Sequence, residues 1–306
     1  LRDRLSRIVV GETSDGEPVT VAQLEVAGAL MTLLHQTVMP NLVQTIEGQP
    51  SIIHAGPFGN IAHGCSSIIA DRMAMGYADY VVTEAGFASD LGFEKFMHIK
   101  TRQSGLPPSA AVLVASARAL KWHGGTRRRD LGNPDAGAVV AGGANLTHHV
   151  GIVKGFGLPC VVAINRFATD SAEELAAVKQ IAMDAGATAA VECDGFAQGG
   201  AGGEELAQAV VDASQGVPQI TYAYPSDASA QDKVLALAQN IYNAADVSWS
   251  PEAQRRLQYF ESKGWGDLPI CMAKTHLSIS HDQSLKGRPS GYTFPITDIR
   301  ASVGAG

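Results

Sequence analysis

Along the chain, short apolar runs rich in β-branched residues alternate with stretches whose apolar positions recur at helical spacing. Runs of the first kind, over Ser51 to His54, Tyr80 to Thr83, Ala111 to Ser116, Ala138 to Ala141, Cys160 to Asn165, Ala187 to Cys193 and Leu268 to Ala273, predict strands. The helical period predicts helices over Ala22 to Thr37, Ser66 to Met75, Ser171 to Ala185, Glu204 to Ser214, Asp232 to Asn243 and Pro251 to Lys263. Thr169 to Ser171 offer caps ahead of an acidic first turn. Such alternation belongs to βαβ units, so the expected fold class is α/β, with mostly parallel sheets flanked by helices. A change of series is expected near Val150, after the Gly-rich run Ala141 to Asn145, while Gln198 to Gly203 reads as a loop.

Composition narrows the partners. An apolar share of 45% with 17% charged residues is that of a folded globular chain. A net charge of -7 without a cationic cluster argues against nucleic acid and against an acidic membrane surface. The basic run Arg127 to Arg129 is followed at once by Asp130 and reads as a solvated loop. Cys65, Cys160, Cys193 and Cys271 stand far apart with no CxxC pair, so neither a metal site nor a disulfide is expected, only buried thiols of a reducing cytosol. With no long apolar run and a charged start, Leu1 to Arg7, a soluble cytoplasmic protein is expected. The chain lacks a first Met and stops at Ala305-Gly306 without a closing element, which suggests truncation at both ends.

Ligands of open α/β sheets gather beyond the carboxyl ends of the strands, so the residues that follow each predicted strand are the candidate site. In Gly56-Pro57-Phe58-Gly59-Asn60-Ile61-Ala62-His63-Gly64, glycine permits close backbone approach, and Asn60 and His63 add polar groups to a helix N-terminus that favours anions. A turn with a capping Asn and a core His has the same spacing. In Thr83-Glu84-Ala85-Gly86-Phe87-Ala88-Ser89-Asp90-Leu91-Gly92, Phe87 offers an apolar wall and two carboxylates can take a proton or a metal. The plainer alternative has Asp90 capping a helix and Glu84 paired with Lys95.

Arg118 and Lys121 fall three apart and can hold phosphate or carboxylate oxygens, though such a pair also suits a plain surface. Gly142-Gly143-Ala144-Asn145 matches neither GxGxxG nor GxxxxGK[ST], and no Walker A sequence exists in the chain. Asn165-Arg166-Phe167 ends one predicted strand and Phe196-Ala197-Gln198 follows the next, so if those strands are neighbours their rings can take a flat heterocycle between them. Lys274 ends the last predicted strand, where it can reach a nucleotide or an acidic substrate tail.

The strings PNLVQTIE at Pro40 to Glu47, GPFGNIAHG at Gly56 to Gly64, VVTEAGFASDLGFEKF at Val81 to Phe96 and ARALKWHGG at Ala117 to Gly125 resemble formate-tetrahydrofolate ligase. AINRF at Ala163 to Phe167 and LPICMAKT at Leu268 to Thr275 are similar to it too, so the match runs through the whole chain in the family's order. The resemblance implies that formate attacks the γ-phosphate of ATP to give formyl phosphate, and that the 10-amine of tetrahydrofolate then attacks the formyl carbon. Positioning and charge stabilisation would do the work. Carried over, a formyl-phosphate pocket falls to Gly59, Gly86, Phe87, Asp90 and Leu91, with Asn60 and His63 beside it, and the folate site to Phe167 and Phe196 with Asn165 and Lys274.

Some positions depart from the pattern. Gly59 stands where the family usually has Ala, Phe196 where it usually has Trp, and Ser116-Ala117 where Thr followed by Ile or Val is commoner. The resemblance further implies a phosphate-loop NTPase-like large domain ending near residue 150, a second α/β domain over 151–273 and the start of a small domain over 274–306. It implies magnesium with the ATP, a monovalent cation as a further option, and a homotetramer. The family's phosphate loop is absent from these residues, which predicts a chain inactive on its own. The alternative is a non-catalytic folate-binding protein or a structural subunit.

Overall fold

The computed structural model describes residues 1–54 and 65–304. The chain opens with helix α1 (Arg2–Ser6), strands β1 (Val9–Glu12) and β2 (Pro18–Thr20), helix α2 (Ala27–Leu34) and strands β3 (Asn41–Gln44) and β4 (Pro50–Ile53). Both strand pairs are antiparallel hairpins. The run expected over Ser51 to His54 is therefore β4, paired back on β3 across a five-residue turn and not a parallel strand. The helix expected over Ala22 to Thr37 shrinks to α2, because the chain turns through Glu25 at φ 59 before it.

Helix α3 (Ile68–Met75) starts where Ser67 Oγ accepts from the backbone N–H groups of Ile69 and Ala70. A continuous helical run over 88–104, α4, follows; it is π-helical over Ala88–Phe93 and Phe96–Thr101 and α-helical over Arg102–Ser104. Then come β5 (Ala111–Ala115), α5 (Ala117–His123), α6 (Ala136–Gly155), β6 (Cys160–Asn165), α7 (Ala172–Asp184) and β7 (Ala189–Cys193). β5, β6 and β7 form one parallel sheet with β6 in the middle. All of Cys160 to Ile164 is buried, the continuous apolar run expected of a central parallel strand.

The strand expected over Ala138 to Ala141 lies inside α6. Asp135 caps that helix, its Oδ1 accepting from Ala138 N at 2.9 Å. Short β-branched runs do not distinguish a strand from a buried helix, and here the longer spacing of the buried residues Val139, Leu146, Val150 and Val153 is helical. The glycines of the run Ala141 to Asn145 are packing contacts, since a Cβ on Gly142 would strike the carbonyl of Leu120 in α5. Val150, where a change of series is expected, is wholly buried in α6, and the sheet joins β5 before it to β6 after it.

The remainder comprises α8 (Gly195–Gln198), a 3-10 turn (Gly199–Gly203), α9 (Glu204–Ala213), α10 (Ala230–Asn240), β8 (Asp246–Trp249), α11 (Pro251–Ser262) and β9 (Thr293–Ile296). β8 and β9 make a small parallel pair. Ser229 and Ser250 cap α10 and α11, the latter with Pro at its first position. Tyr80 to Thr83 and Leu268 to Ala273, both expected as strands, belong to no ladder among the described residues. Val82 is 94% exposed, so no sheet face holds it, and Pro269 lacks the N–H that a ladder needs. The thiols also differ from expectation: Cys65 and Cys160 are buried, Cys193 is intermediate and Cys271 exposed.

Between α5 and α7 lies a buried ion pair. Lys121 Nζ is 2.6 Å from Glu174 Oε1 with the side chains 1% and 0% exposed, and it also donates to Asn133 O. Glu174 completes a capping box with Ser171 and accepts from Asp135 N, so one carboxylate starts α7 and closes the turn before α6. Burial raises its pKa, but the bonds to Lys121, Ser171 and Asp135 outweigh that and hold it below the usual value. Lys121 is therefore a framework cation, not an anion holder. Lys121→Ala is expected to lower stability in urea unfolding by about 3–5 kcal/mol through the unpaired carboxylate. Arg129→Ala, at an exposed pair with Asp130, is expected to change it by less than about 0.5 kcal/mol.

Candidate functional site

Three segments that end strands of the parallel sheet meet on its carboxyl edge. Ser116 caps α5 just after β5, which brings Arg118 onto that edge. Phe167 follows β6 and Phe196 follows β7, and the register pairs Asn165 with Cys193. The strands are thus neighbours, as the two-ring reading requires. Phe167 N is fixed by Asp170 Oδ2 at 2.9 Å, and Arg166 N by Cys193 O at 3.1 Å. The Arg118 guanidinium carbon lies 5.5 Å from the Phe167 ring centre. Phe196 is 100% exposed and Phe167 37%.

A second constellation surrounds the start of α4. Gly86 has φ 82, Phe87 is 77% exposed and Ala88 is held at φ 55, an uncommon conformation for a residue with a side chain. Gly92 N donates to Phe87 O at 2.7 Å in a wide turn, and a Cβ on Gly92 would strike the carbonyl of Ala85. The Gly86-Phe87 backbone is thereby folded against the helix start with the ring outside. Leu91 lies beneath, buried.

Asp90 is buried in the first turn of α4, and its Oδ2 is 2.6 Å from Lys274 Nζ. It does not cap the helix. Lys274 also donates to Ser278 O at 2.6 Å and Thr275 O at 3.1 Å, so its three protons are engaged inside the protein. That leaves it no donor for a nucleotide or a substrate tail in this conformation. Burial lowers its pKa while Asp90 opposes the shift. Glu84 makes no ion pair with Lys95 among the described residues.

Several neighbours carried no sequence signal of their own. His149 of α6 sits with Nδ1 2.7 Å from Ser89 Oγ and 4.0 Å from Asp90 Oδ1. Burial lowers its pKa, with Asp90 opposing. One turn along α4, His98 Nδ1 lies 2.7 Å from the buried Glu94 Oε1, while Ala223 N donates to His98 Nε2 at 3.1 Å. Nε2 must then be the acceptor, so Nδ1 carries the proton and donates to Glu94. The i,i+4 spacing of Glu94 and His98 was the signal available for that pair. Burial raises the pKa of Glu94, opposed by His98.

Gly59, Asn60 and His63 lie outside the described residues, so the Gly56 to Gly64 segment enters the site by sequence only. Its flanks are described: His54 Nδ1 and Ser67 Oγ stand 2.6 Å apart. No group of three or more His, Cys, Asp or Glu residues able to hold a metal occurs among the described residues. None of their helices is long and apolar enough to cross a membrane.

A family profile described as formate–tetrahydrofolate ligase matches residues 1–306. The chain is 54% identical to the formate–tetrahydrofolate ligase of Roseiflexus sp. strain RS-1, over 100% of this chain and 56% of that protein. It is 51% identical to that of Desulforamulus reducens and 50% to that of Methylorubrum populi, each over 100% of this chain and 55% of the relative. The chain therefore spans little more than half the length of these curated relatives.

The Asp90–Lys274 geometry has a measurable consequence. Either Asp90→Ala or Lys274→Met alone strands a buried charge and is expected to cost about 3–5 kcal/mol in denaturant unfolding. The double variant is expected to lose less than the sum of the two, with a coupling of about 1–3 kcal/mol in the cycle.

Proposed function

The chain belongs to the formate–tetrahydrofolate ligase family, and on that premise we propose that it supplies the folate-binding and formyl-transfer face of an ATP-dependent ligase that makes 10-formyltetrahydrofolate, ADP and phosphate. The observation that carries this reading is Phe196, fully exposed beside Phe167 at the carboxyl edge of adjacent parallel strands. Exposed aromatic rings on a polar, Gly-rich edge leave apolar faces for a flat heterocycle, and burying them recovers the hydrophobic free energy that the open surface forgoes. Arg118 over Phe167 adds a cation that suits the carboxylates of a glutamate tail.

In this reading formyl phosphate rests against Gly86 and Phe87, with Gly59, Asn60 and His63 from the preceding segment. Asp90 and Leu91 act from below as the support of that backbone. The pterin lies between Phe167 and Phe196 near Asn165, and the 10-amine of the folate, carried by its aminobenzoyl group, reaches the formyl carbon from that side. As the C–N bond forms, charge collects on the formyl oxygen; the C–O bond then breaks, phosphate leaves, and the amine loses its proton. Backbone donors suit that oxyanion, and no side-chain nucleophile is required.

The ATP half is placed elsewhere. The chain has no GxxxxGK[ST] sequence, Lys121 and Lys274 are spent on buried carboxylates, and magnesium finds no ligand set among the described residues. We also propose homo-oligomeric assembly. We propose further a division into domains ahead of β5, and the support for it is that β5 and β6, on either side of residue 150, pair in one sheet. A non-catalytic folate-binding or structural role is the second reading.

Titration calorimetry of the chain with tetrahydrofolate is expected to show binding that Phe196→Ala and Phe167→Ala each weaken by about 1–3 kcal/mol, with circular dichroism unchanged. The same chain is expected to form no 10-formyltetrahydrofolate from ATP and formate. Turnover at an ordinary enzymatic rate would place the triphosphate site within it, and absence of tetrahydrofolate binding would remove the folate assignment.

A further inference from the structure

The turn that joins β3 to β4 is remote in sequence from the Phe196 loop, yet one side chain connects them. Glu47, at the tip of that turn, accepts a hydrogen bond from Gly200 N at 2.6 Å through Oε1. The contact is close over its whole length: a Cβ on Gly199 would lie 2.7 Å from Glu47 Oε1, and one on Gly200 would strike Oε2. The carboxylate thus lies flat against the Gly199-Gly200 backbone, only a few residues beyond Phe196. Glycine at both positions is what lets it approach.

The loop it touches is otherwise braced from within. Asp194 N donates to Gly202 O at 3.0 Å, Gln198 N to Asp194 O at 3.0 Å, and Gln198 Nε2 to Asp194 Oδ2 at 2.9 Å. These bonds shape the loop without fixing it against another element. The hairpin itself is tightly turned, with Thr45 N bonded to Gln49 O at 2.9 Å and Thr45 Oγ1 to Gln49 Oε1 at 2.8 Å. A charge-assisted bond from so short a turn to a backbone N–H is directional enough to set the position of the loop.

We infer that Glu47 is a positioning residue for the folate platform: its carboxylate, bonded to the Gly200 N–H, holds the Gly-rich turn and so fixes where the Phe196 ring stands. The inference rests on the assignment of Phe196 to the folate site. Glu47 touches no reacting atom in this scheme. An exposed residue serves well as the test, since its loss leaves no charge buried.

The experiment compares Glu47→Ala, Glu47→Gln and the parent 306-residue chain in two readouts. Hydrogen exchange of the amides over 198–203 is expected to quicken about fivefold in Glu47→Ala and to stay near the parent rate in Glu47→Gln, whose amide oxygen still accepts. Calorimetry is expected to show tetrahydrofolate binding about fivefold weaker in Glu47→Ala and within about twofold of the parent in Glu47→Gln. In a Phe196→Ala background, Glu47→Ala is expected to weaken binding no further, because its effect passes through that ring. Unchanged exchange and affinity in Glu47→Ala, or an equal loss in both backgrounds, overturns the inference and leaves the folate assignment standing. A parent chain that binds no tetrahydrofolate overturns the assignment and the inference together.

Discussion

The buried pair of Asp90 and Lys274 is the constraint on which the candidate site depends. Two ions taken out of water lose several kcal/mol each, about what a well-made contact and full hydrogen bonding return, so neither partner can move without the other. Lys274 meets that demand with one carboxylate and two carbonyls. The start of α4 is thereby tied to the chain that follows residue 274, and His149 of α6 closes the group through Ser89. Phe87 stands outside this anchored base, which is why its ring is exposed while its backbone is held.

Buried lysines recur as ties for irregular chain. Lys233 is 1% exposed, and its ammonium donates to the carbonyls of Asp267 and Leu268. That bears on a stretch that reads as a strand but has no ladder: its first carbonyl, of Leu268, and that of Asp267 just before it are satisfied by a side chain where a sheet would have supplied N–H groups. Lys100 meets Asp71 at 2.5 Å between α4 and α3, and Lys121 meets Glu174 between α5 and α7. Lys121, which invites a functional reading in the sequence, thus belongs to the framework as Lys100 and Lys233 do.

What was legible in the sequence follows from this. β5, β6 and β7 were readable because each is a compact apolar run, α7 because cap candidates and helical period agree, and α10 and α11 from helical period alone. The order of Phe167 and Phe196 along neighbouring strands was readable for the same reason. α6 was not, because glycines that serve a close helix crossing look like those of a loop. Nor were β1, β2 and β3, whose exposed faces carry no clean alternation, so β4 was read as a strand without its antiparallel partner. The role of Lys274 was hidden because its partner lies far away in the chain, and partners of buried charges leave no local pattern.

Asp90, Glu94, His98 and Arg102 recur at every fourth position of α4. In a regular α-helix with 3.6 residues per turn, each step of four would rotate the next side chain by about 40°, and Arg102 would end about 120° away from Asp90. The wide turns of Ala88–Phe93 and Phe96–Thr101 take up an extra residue each, which lengthens the mean period toward four. Asp90 pairs with Lys274, Glu94 with His98, and Arg102 donates to the carbonyl of Tyr224. The unusual winding of this helix thus brings its own period close to the four-residue period of its polar side chains, a match that a regular α-helix lacks.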